Sequence, residues 1–185
     1  MPGPGFSTRR VVVASPTDVQ PERDALPAII EDINHDLQVA RTSISLELDR
    51  WEDIGPGLHR EGPQGLADDL LRIPASDLVV VILWKTLGTP LPDGRTGTQH
   101  ELDLAYASWK QTGKPDVALY FCQRCYTPES KRETDNWGRV LEFRGWVKEH
   151  MPELSYEGYD SLDYFRKRIR DRLWKFAFSE ATNKD

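Results

Sequence analysis

Uninterrupted apolar runs are the feature that most limits what this chain can fold into. The stretch SDLVVVILW, residues 76–84, has no polar side chain between Leu78 and its closing tryptophan. Two similar runs are RRVVVAS, residues 9–15, and PDVALYFCQ, residues 115–123. A strand with one wet face alternates apolar and polar side chains, whereas a strand covered on both faces is apolar throughout. These runs therefore predict a parallel sheet with helices on both faces.

The remaining elements fit between and beside these strands. Residues 43–51 alternate apolar and polar side chains, which predicts a strand near the sheet edge, and a short strand is expected near residues 154–159. Helices are expected over residues 66–73 and 137–150, and within the stretch TGTQHELDLAYASWK. Apolar stripes at helical spacing predict two more, with the members Leu26, Ile29, Ile30, Ile33 and Leu37, and Leu162, Phe165, Ile169, Leu173 and Phe176. The predicted fold is an α/β, flavodoxin-like three-layer sandwich around a mostly parallel sheet of about five strands.

Composition limits the organisation and the partners. The 185 residues predict a single domain over residues 9–178, with flexible ends at 1–8 and 179–185. The net charge of −6 argues against a general nucleic-acid binder. No window approaches the roughly 20 apolar residues of a membrane span, and the first residues lack the apolar stretch of a signal peptide. With two cysteines and no export signal, a cytoplasmic location is expected. Because no apolar window is long enough, no membrane partner is expected.

Ligands of such sheets bind at the carboxyl ends of the strands, which selects the loops that begin at Ser15, Trp51 and Trp84. Glu101 ends the third loop and is expected to open the next helix. Ser15 is a candidate for phosphate binding or helix capping. Trp51 and Trp84 are candidates for stacking on a base, or for a place at the edge of the core.

Two more candidates lie after the first strand. Asp18 can cap the following helix or help to bind a phosphate, and capping is favoured. Arg23 can reach a diphosphate or form an ion pair at the helix surface, and the ion pair is favoured.

Three motifs follow one another along the chain. Their residues are Ser15, Pro16, Asp18, Glu22, Arg23 and Leu26 in the first motif, Trp84, Gly88 and Pro90 in the second, and Thr98, Glu101 and Leu102 in the third. Together they resemble the TIR-like domains found at the front of larger signalling and defence proteins. The resemblance covers most of the first ~125 residues, a typical domain size. It implies a TIR-like fold.

The resemblance also implies an activity, which is cleavage of the nicotinamide–ribose bond of NAD⁺ by an NADase acting in defence signalling. Glu101 is then the catalytic carboxylate, and NAD⁺ is a substrate rather than a cofactor. No metal is required. The implied substrate-binding residues are Ser15, Pro16, Asp18, Arg23, Trp51, Trp84 and Thr98. The implied partners are other copies of the domain, through self-association, and a fused or separate sensor or NTPase module.

Alternatives remain open at this point. Glu101 and Thr98 have the spacing of a capping box, so the glutamate can be structural. Gly97 stands where many active TIR enzymes have a tryptophan, which favours a non-catalytic interaction domain. A nucleoside deoxyribosyltransferase-like enzyme, with the glutamate as covalent nucleophile, is a third hypothesis.

Three other patterns have simpler interpretations. The glycine- and proline-rich stretch GPGLHREGPQG corresponds to the gating loop of TIR-like domains, where His59 can approach a substrate, or it is a plain connection. Cys122 and Cys125 form a lone C-x-x-C pattern without a second cysteine or histidine pair at zinc spacing, so a metal or redox site is not favoured. The basic residues of the last helix are interpreted as a solvated face.

Overall fold

The computed structural model describes residues 7–51 and 62–179. Its strands are β1 (Ser7–Ala14), β2 (Ile44–Arg50), β3 (Leu78–Leu83), β4 (Asp116–Cys122) and β5 (Tyr156–Tyr159). Its helices are α1 (Gln20–Val39), α2 (Gly62–Leu71), α3 (Gly97–Thr112), α4 (Lys131–His150) and α5 (Leu162–Ser179). Short 3-10 turns at Thr17–Val19 and Ile73–Ala75 precede α1 and β3.

The five strands form one parallel sheet in the order β2-β1-β3-β4-β5. Val11 of β1 pairs with Leu48 on one side and Leu78 on the other. The chain therefore runs outward from β1 in both directions, and the strand order reverses between β1 and β3. This is the flavodoxin-like three-layer arrangement that the sequence predicts, and its switch point lies at the carboxyl ends of β1 and β3.

Helices cover both faces of the sheet, which explains the uninterrupted run in β3. All six residues of β3 are buried. Its alternate side chains Leu78, Val80 and Ile82 pack in the core beneath α1 and α5. Val79, Val81 and Leu83 pack in the opposite core, with side chains from α3 and α4. Each face of the strand meets a hydrophobic layer, so no position tolerates a polar side chain.

Several element boundaries differ from the predictions. β1 begins at Ser7, within the predicted flexible terminus, and α2 begins at Gly62 rather than at residue 66. The largest difference is α4, which begins at Lys131 instead of residue 137. Ser130 caps it, since the Ser130 hydroxyl accepts a hydrogen bond from the Glu133 backbone N–H at 3.2 Å. A side-chain cap thus holds a polar first turn that has no apolar periodicity.

None of the helices in the described ranges is both long enough and apolar enough to span a bilayer. The stripe of α5 is buried at Phe165, Ile169, Leu173 and Phe176, as its spacing predicts. Most of the predicted gating loop, His59 included, lies in residues 52–61, outside the described residues.

Candidate active site

A cleft of about 1280 Å³ lies over the carboxyl ends of β1 and β3. Its walls come from six parts of the chain: the exit of β1, Arg23 of α1, Trp51 after β2, the loop after β3, the start of α3, and residues 131–139 of α4. Of the predicted site residues, it brings together Ser15, Pro16, Arg23, Trp51, Thr98 and Glu101. Two others, Asp18 and Trp84, lie outside its wall. The cleft occupies the position at which parallel α/β sheets bind ligands.

Glu101 lies in the second turn of α3 and does not cap it. The cap is Thr96, whose hydroxyl accepts from the Gln99 backbone N–H at 3.4 Å while the Gln99 side chain accepts from the Thr96 N–H at 3.0 Å. The hypothesis of a capping box between Thr98 and Glu101 is therefore wrong. Both pairs have the required spacing, and the hydrogen bond from the Thr96 hydroxyl to the Leu87 carbonyl fixes the start of the helix at Thr96.

The face of α3 that begins after the cap points into the cleft. Gly97, Thr98 and Glu101 line the cleft. Gly97 and Thr98 lie four and three residues before Glu101, which places them on the same side of the helix as the glutamate. Leu102 and Ala105 point the other way, into the core. Glu101 is 8% exposed, so its carboxylate is a nearly buried group at the cleft wall. Burial in a low-dielectric wall strengthens its interaction with a developing positive charge.

The loop between β3 and α3 is held in a fixed shape. Its Gly88 has a φ of +96°, and a Cβ at this position would lie 3.3 Å from the Thr98 hydroxyl oxygen. The Gly97 N–H donates to the Thr89 carbonyl at 3.1 Å. A side chain at residue 88 would be strained and would press on the start of α3, which explains why glycine stands in this loop.

Asp18 fastens this loop to the exit of β1. Its carboxylate accepts hydrogen bonds from the backbone N–H groups of Lys85 at 2.7 Å and Thr86 at 3.1 Å. Burial raises the pKa of Asp18, and these two backbone hydrogen bonds offset part of that rise. The expected capping of α1 does not occur, because the residue that precedes this helix is Val19 and no side chain caps it. Asp18 instead joins the two strand ends that border the switch point.

Ser15 and Arg23 form the wall beneath β1. The Arg23 guanidinium lies 3.4 Å from the Ser15 carbonyl oxygen and 3.5 Å from that of Pro16, and Arg23 is buried. Arg23 thus braces the backbone of this segment from inside. The Ser15 hydroxyl oxygen is buried and has no hydrogen-bond partner among the described residues. It is therefore an unsatisfied polar group in the segment that lines the cleft.

The two tryptophans differ in their surroundings. Trp51 is 40% exposed at the rim of the cleft and can stack on a planar ring. Trp84 is half-buried against the core. The Lys85 amino group lies 3.8 Å and the Arg124 guanidinium 4.3 Å from the centroid of its ring. Trp84 therefore holds the ends of β3 and β4 together rather than facing the cleft.

A buried ion pair lies next to this tryptophan. The Arg124 guanidinium donates to the Glu22 carboxylate at 2.6 Å, and the Glu22 side chain is fully buried. Arg124 also donates to the sulfur of Cys122 at 3.0 Å. The Tyr159 hydroxyl is buried nearby, where burial raises its pKa, and the neighbouring Glu22 carboxylate raises it further.

The two cysteines are free, with Cys122 half-buried and Cys125 exposed. Within residues 7–51 and 62–179, no three His, Cys, Asp or Glu side chains are grouped closely enough to hold a metal ion.

The wall formed by α4 is the part of the site that the sequence reasoning missed. Five residues of α4 line the cleft: Lys131, Arg132, Asp135, Asn136 and Arg139. Four of them, Lys131, Arg132, Asp135 and Asn136, lie before residue 137, where the sequence predicts this helix to begin. The only local signal was the spacing of Ser130 and Glu133, which is that of a helix start.

Comparisons with known proteins add no family to these observations. No protein-family model matches the chain, and no curated protein matches it in sequence.

Proposed function

We propose that this protein is a TIR-like NAD⁺ glycohydrolase that uses Glu101 as its catalytic carboxylate. The observation that carries the proposal is the position of this nearly buried glutamate in the wall of a large cleft at the switch point of the sheet. The cleft volume of about 1280 Å³ exceeds the ~300–1,000 Å³ typical of pockets for drug-sized ligands. A dinucleotide is a ligand of suitable size.

The chemistry needs little more than a fixed negative charge. The bond between ribose C1′ and the nicotinamide nitrogen breaks, and its electron pair leaves with the nicotinamide, which departs as a neutral ring. Positive charge then develops on the ribose, and a carboxylate facing the sugar stabilises that charge. Water adds to C1′ and releases a proton, so the products are nicotinamide and ADP-ribose. The leaving group is already cationic in NAD⁺, so no general acid is required.

Other groups in the wall have roles that suit this substrate. The Ser15 hydroxyl is available to donate a hydrogen bond, and Trp51 offers an exposed ring at the rim for stacking. Thr98 lies one turn before Glu101 on the same face of α3 and is in position to orient a ribose hydroxyl beside the carboxylate.

The charge of the cleft favours an anionic substrate over a neutral nucleoside. Among the described lining residues, four are cationic (Arg23, Lys131, Arg132 and Arg139) and two are acidic (Glu101 and Asp135). The whole chain carries a charge of −6, so this local excess is opposite in sign to the rest of the protein. It supports a dinucleotide over the substrate of a nucleoside deoxyribosyltransferase.

The test is nicotinamide release from NAD⁺ by the purified protein and by Glu101→Gln. We expect the variant to lose at least about 100-fold in activity, the effect of removing one electrostatic stabiliser from an active site, while its thermal midpoint changes little. Glu142→Gln, an exposed glutamate of α4 outside the cleft, is the matched control and should retain activity. Full NAD⁺ cleavage by Glu101→Gln would refute the catalytic assignment.

The resemblance to TIR-like domains extends the proposal to regulation. We expect specific activity to rise with protein concentration or with a crowding agent, because self-association completes the active form in a cytoplasmic defence effector. Silence of the wild-type protein even when forced to associate would favour the non-catalytic interaction domain, in agreement with Gly97 at the place of the usual tryptophan.

A further inference from the structure

The α4 wall has the features of an anion-binding surface. Arg132, Asn136 and Arg139 are four and three residues apart, so they lie on one face of the helix and form what we call the α4 stripe. All three line the cleft. Val140, Phe143 and Val147 lie on the other face, in the core, which fixes the rotation of the helix.

The cations of the α4 stripe have no hydrogen-bond or ion-pair partner among the described residues. Neither Arg132 nor Arg139 forms a hydrogen bond or ion pair with any of residues 7–51 and 62–179. The arginines of α5 behave differently, since Arg168 pairs with Glu157 and Arg170 pairs with Asp36. The last helix therefore has a solvated, ion-paired face, as interpreted from the sequence, whereas Arg132 and Arg139 of α4 line the cleft without such a partner among the described residues.

The start of α4 adds to the positive potential. Lys131 is the first residue of the helix, also lines the cleft, and likewise has no ion-pair partner among the described residues. The amino end of a 20-residue helix contributes partial positive charge. One arginine guanidinium can donate two parallel hydrogen bonds to the oxygens of a phosphate, so two neighbouring arginines are suited to a diphosphate.

We propose that the α4 stripe binds the diphosphate of a nucleotide ligand, on the wall formed by Arg132, Asn136 and Arg139, while Glu101 of α3 faces the ribose. The inference rests on the proposed function only for the bond that is cleaved, between ribose and nicotinamide. Binding of the diphosphate to the α4 stripe does not require that cleavage. The ligand class is a nucleoside diphosphate ester, such as the ADP-ribose portion of NAD⁺. Nucleic acid is not favoured, because these cations are confined to one cleft of an acidic chain.

The experiment is calorimetric titration of Glu101→Gln, which isolates binding from cleavage, with ADP-ribose, with pyrophosphate, and with nicotinamide riboside, which has no phosphate. Arg132→Gln and Arg139→Gln are then combined in the same background. We expect affinity for ADP-ribose to fall at least about tenfold, equivalent to about 1.4 kcal/mol. Affinity for nicotinamide riboside should not change. Arg144→Gln, an arginine of α4 outside the cleft wall, is the matched control and should bind like its parent.

The outcomes separate this inference from the proposed function. Loss of ADP-ribose and pyrophosphate binding in the double arginine variant supports the anion site even if the wild-type protein does not cleave NAD⁺. Unchanged ADP-ribose affinity in the folded variant overturns the inference even if NAD⁺ is cleaved. No binding of either phosphate ligand to the parent also overturns it. Competition by adenosine 2′-phosphate, but not by pyrophosphate, would overturn the diphosphate assignment.

Discussion

The ion pair between Glu22 and Arg124 makes a prediction about stability whose size follows from burial. Arg124→Met keeps most of the side-chain length that covers Trp84 but removes the partner of a fully buried carboxylate. Loss of one partner of a buried pair costs ~3–5 kcal/mol, because the remaining charge stays uncompensated. The Arg124 side chain is 24% exposed, so water already screens part of the interaction. We therefore expect a loss near the lower end, about 3 kcal/mol.

Substitution of the other partner of the ion pair should lower the free energy of unfolding by less. Glu22→Gln removes the buried charge itself and leaves an arginine that can turn toward water, so about 1 kcal/mol is expected, the contribution of a hydrogen bond. Because the penalty of Arg124→Met comes from the charge of Glu22, the double variant should be about 1 kcal/mol more stable than Arg124→Met. The coupling energy of the cycle is expected to be about 2 kcal/mol, within the range for contacting residues.

The assay is urea denaturation at pH 7 followed by tryptophan fluorescence, with the thermal midpoint as a second measure. A loss of 3 kcal/mol corresponds to a fall of roughly 6–12 °C for a chain of this size. Arg166→Met is the matched control, because its partner Asp163 is 93% exposed, and it should change stability by less than about 0.5 kcal/mol. If Arg124→Met were no more destabilising than Arg166→Met, the argument from burial would be wrong.

Two further predictions concern the ends of the loop after β3. Thr96→Ala removes the cap of α3 and should lower the free energy of unfolding, measured by urea denaturation, by about 1–2 kcal/mol. Ser7→Ala, at the exposed start of β1, is the control and should leave the free energy of unfolding nearly unchanged. An equal effect of the two substitutions would contradict the role of Thr96 as the cap. Burial raises the pKa of Asp18 in the folded protein above the ordinary value of 3.8, so the folded state binds more protons than the unfolded state between these two pKa values. The wild-type protein should therefore lose stability relative to Asp18→Asn as pH rises from about 3.8 through the raised pKa. Denaturation midpoints of both proteins from pH 3.5 to 7 test this, and a gap that changes in the opposite direction would show that the backbone hydrogen bonds outweigh burial.

The sheet could be predicted from the sequence because its signal is local. The run in β3 is apolar at every position, and only burial on both faces explains such a run. The switch point followed from the order of strands and helices, and with it the expectation that Ser15 and Glu101 belong to one edge of the sheet. Both residues line the cleft there.

What could not be predicted depends on partners far away in the chain. Asp18 has the right place for a helix cap, yet its hydrogen bonds go to residues 67 and 68 positions later. The start of α3 had two equivalent candidates, and a tertiary hydrogen bond to Leu87 decided between them. The first six residues of α4 include no apolar side chain, so hydrophobic periodicity could not indicate that the helix begins there or that these residues complete the cleft.

The cap of α3 and the glutamate in the cleft wall are different residues, Thr96 and Glu101, and this has a practical consequence for experiments in cells. Because Thr96 and Gln99 form the cap and Glu101 lies beyond it, replacing the glutamate leaves the start of the helix unaltered. Under the proposed function, a Glu101→Gln protein should therefore fold and self-associate like the wild-type protein without cleaving NAD⁺. Under that same proposal, this variant expressed in excess would join assemblies of the wild-type protein and lower their activity. It would also retain its ligand long enough for the ligand to be recovered and identified.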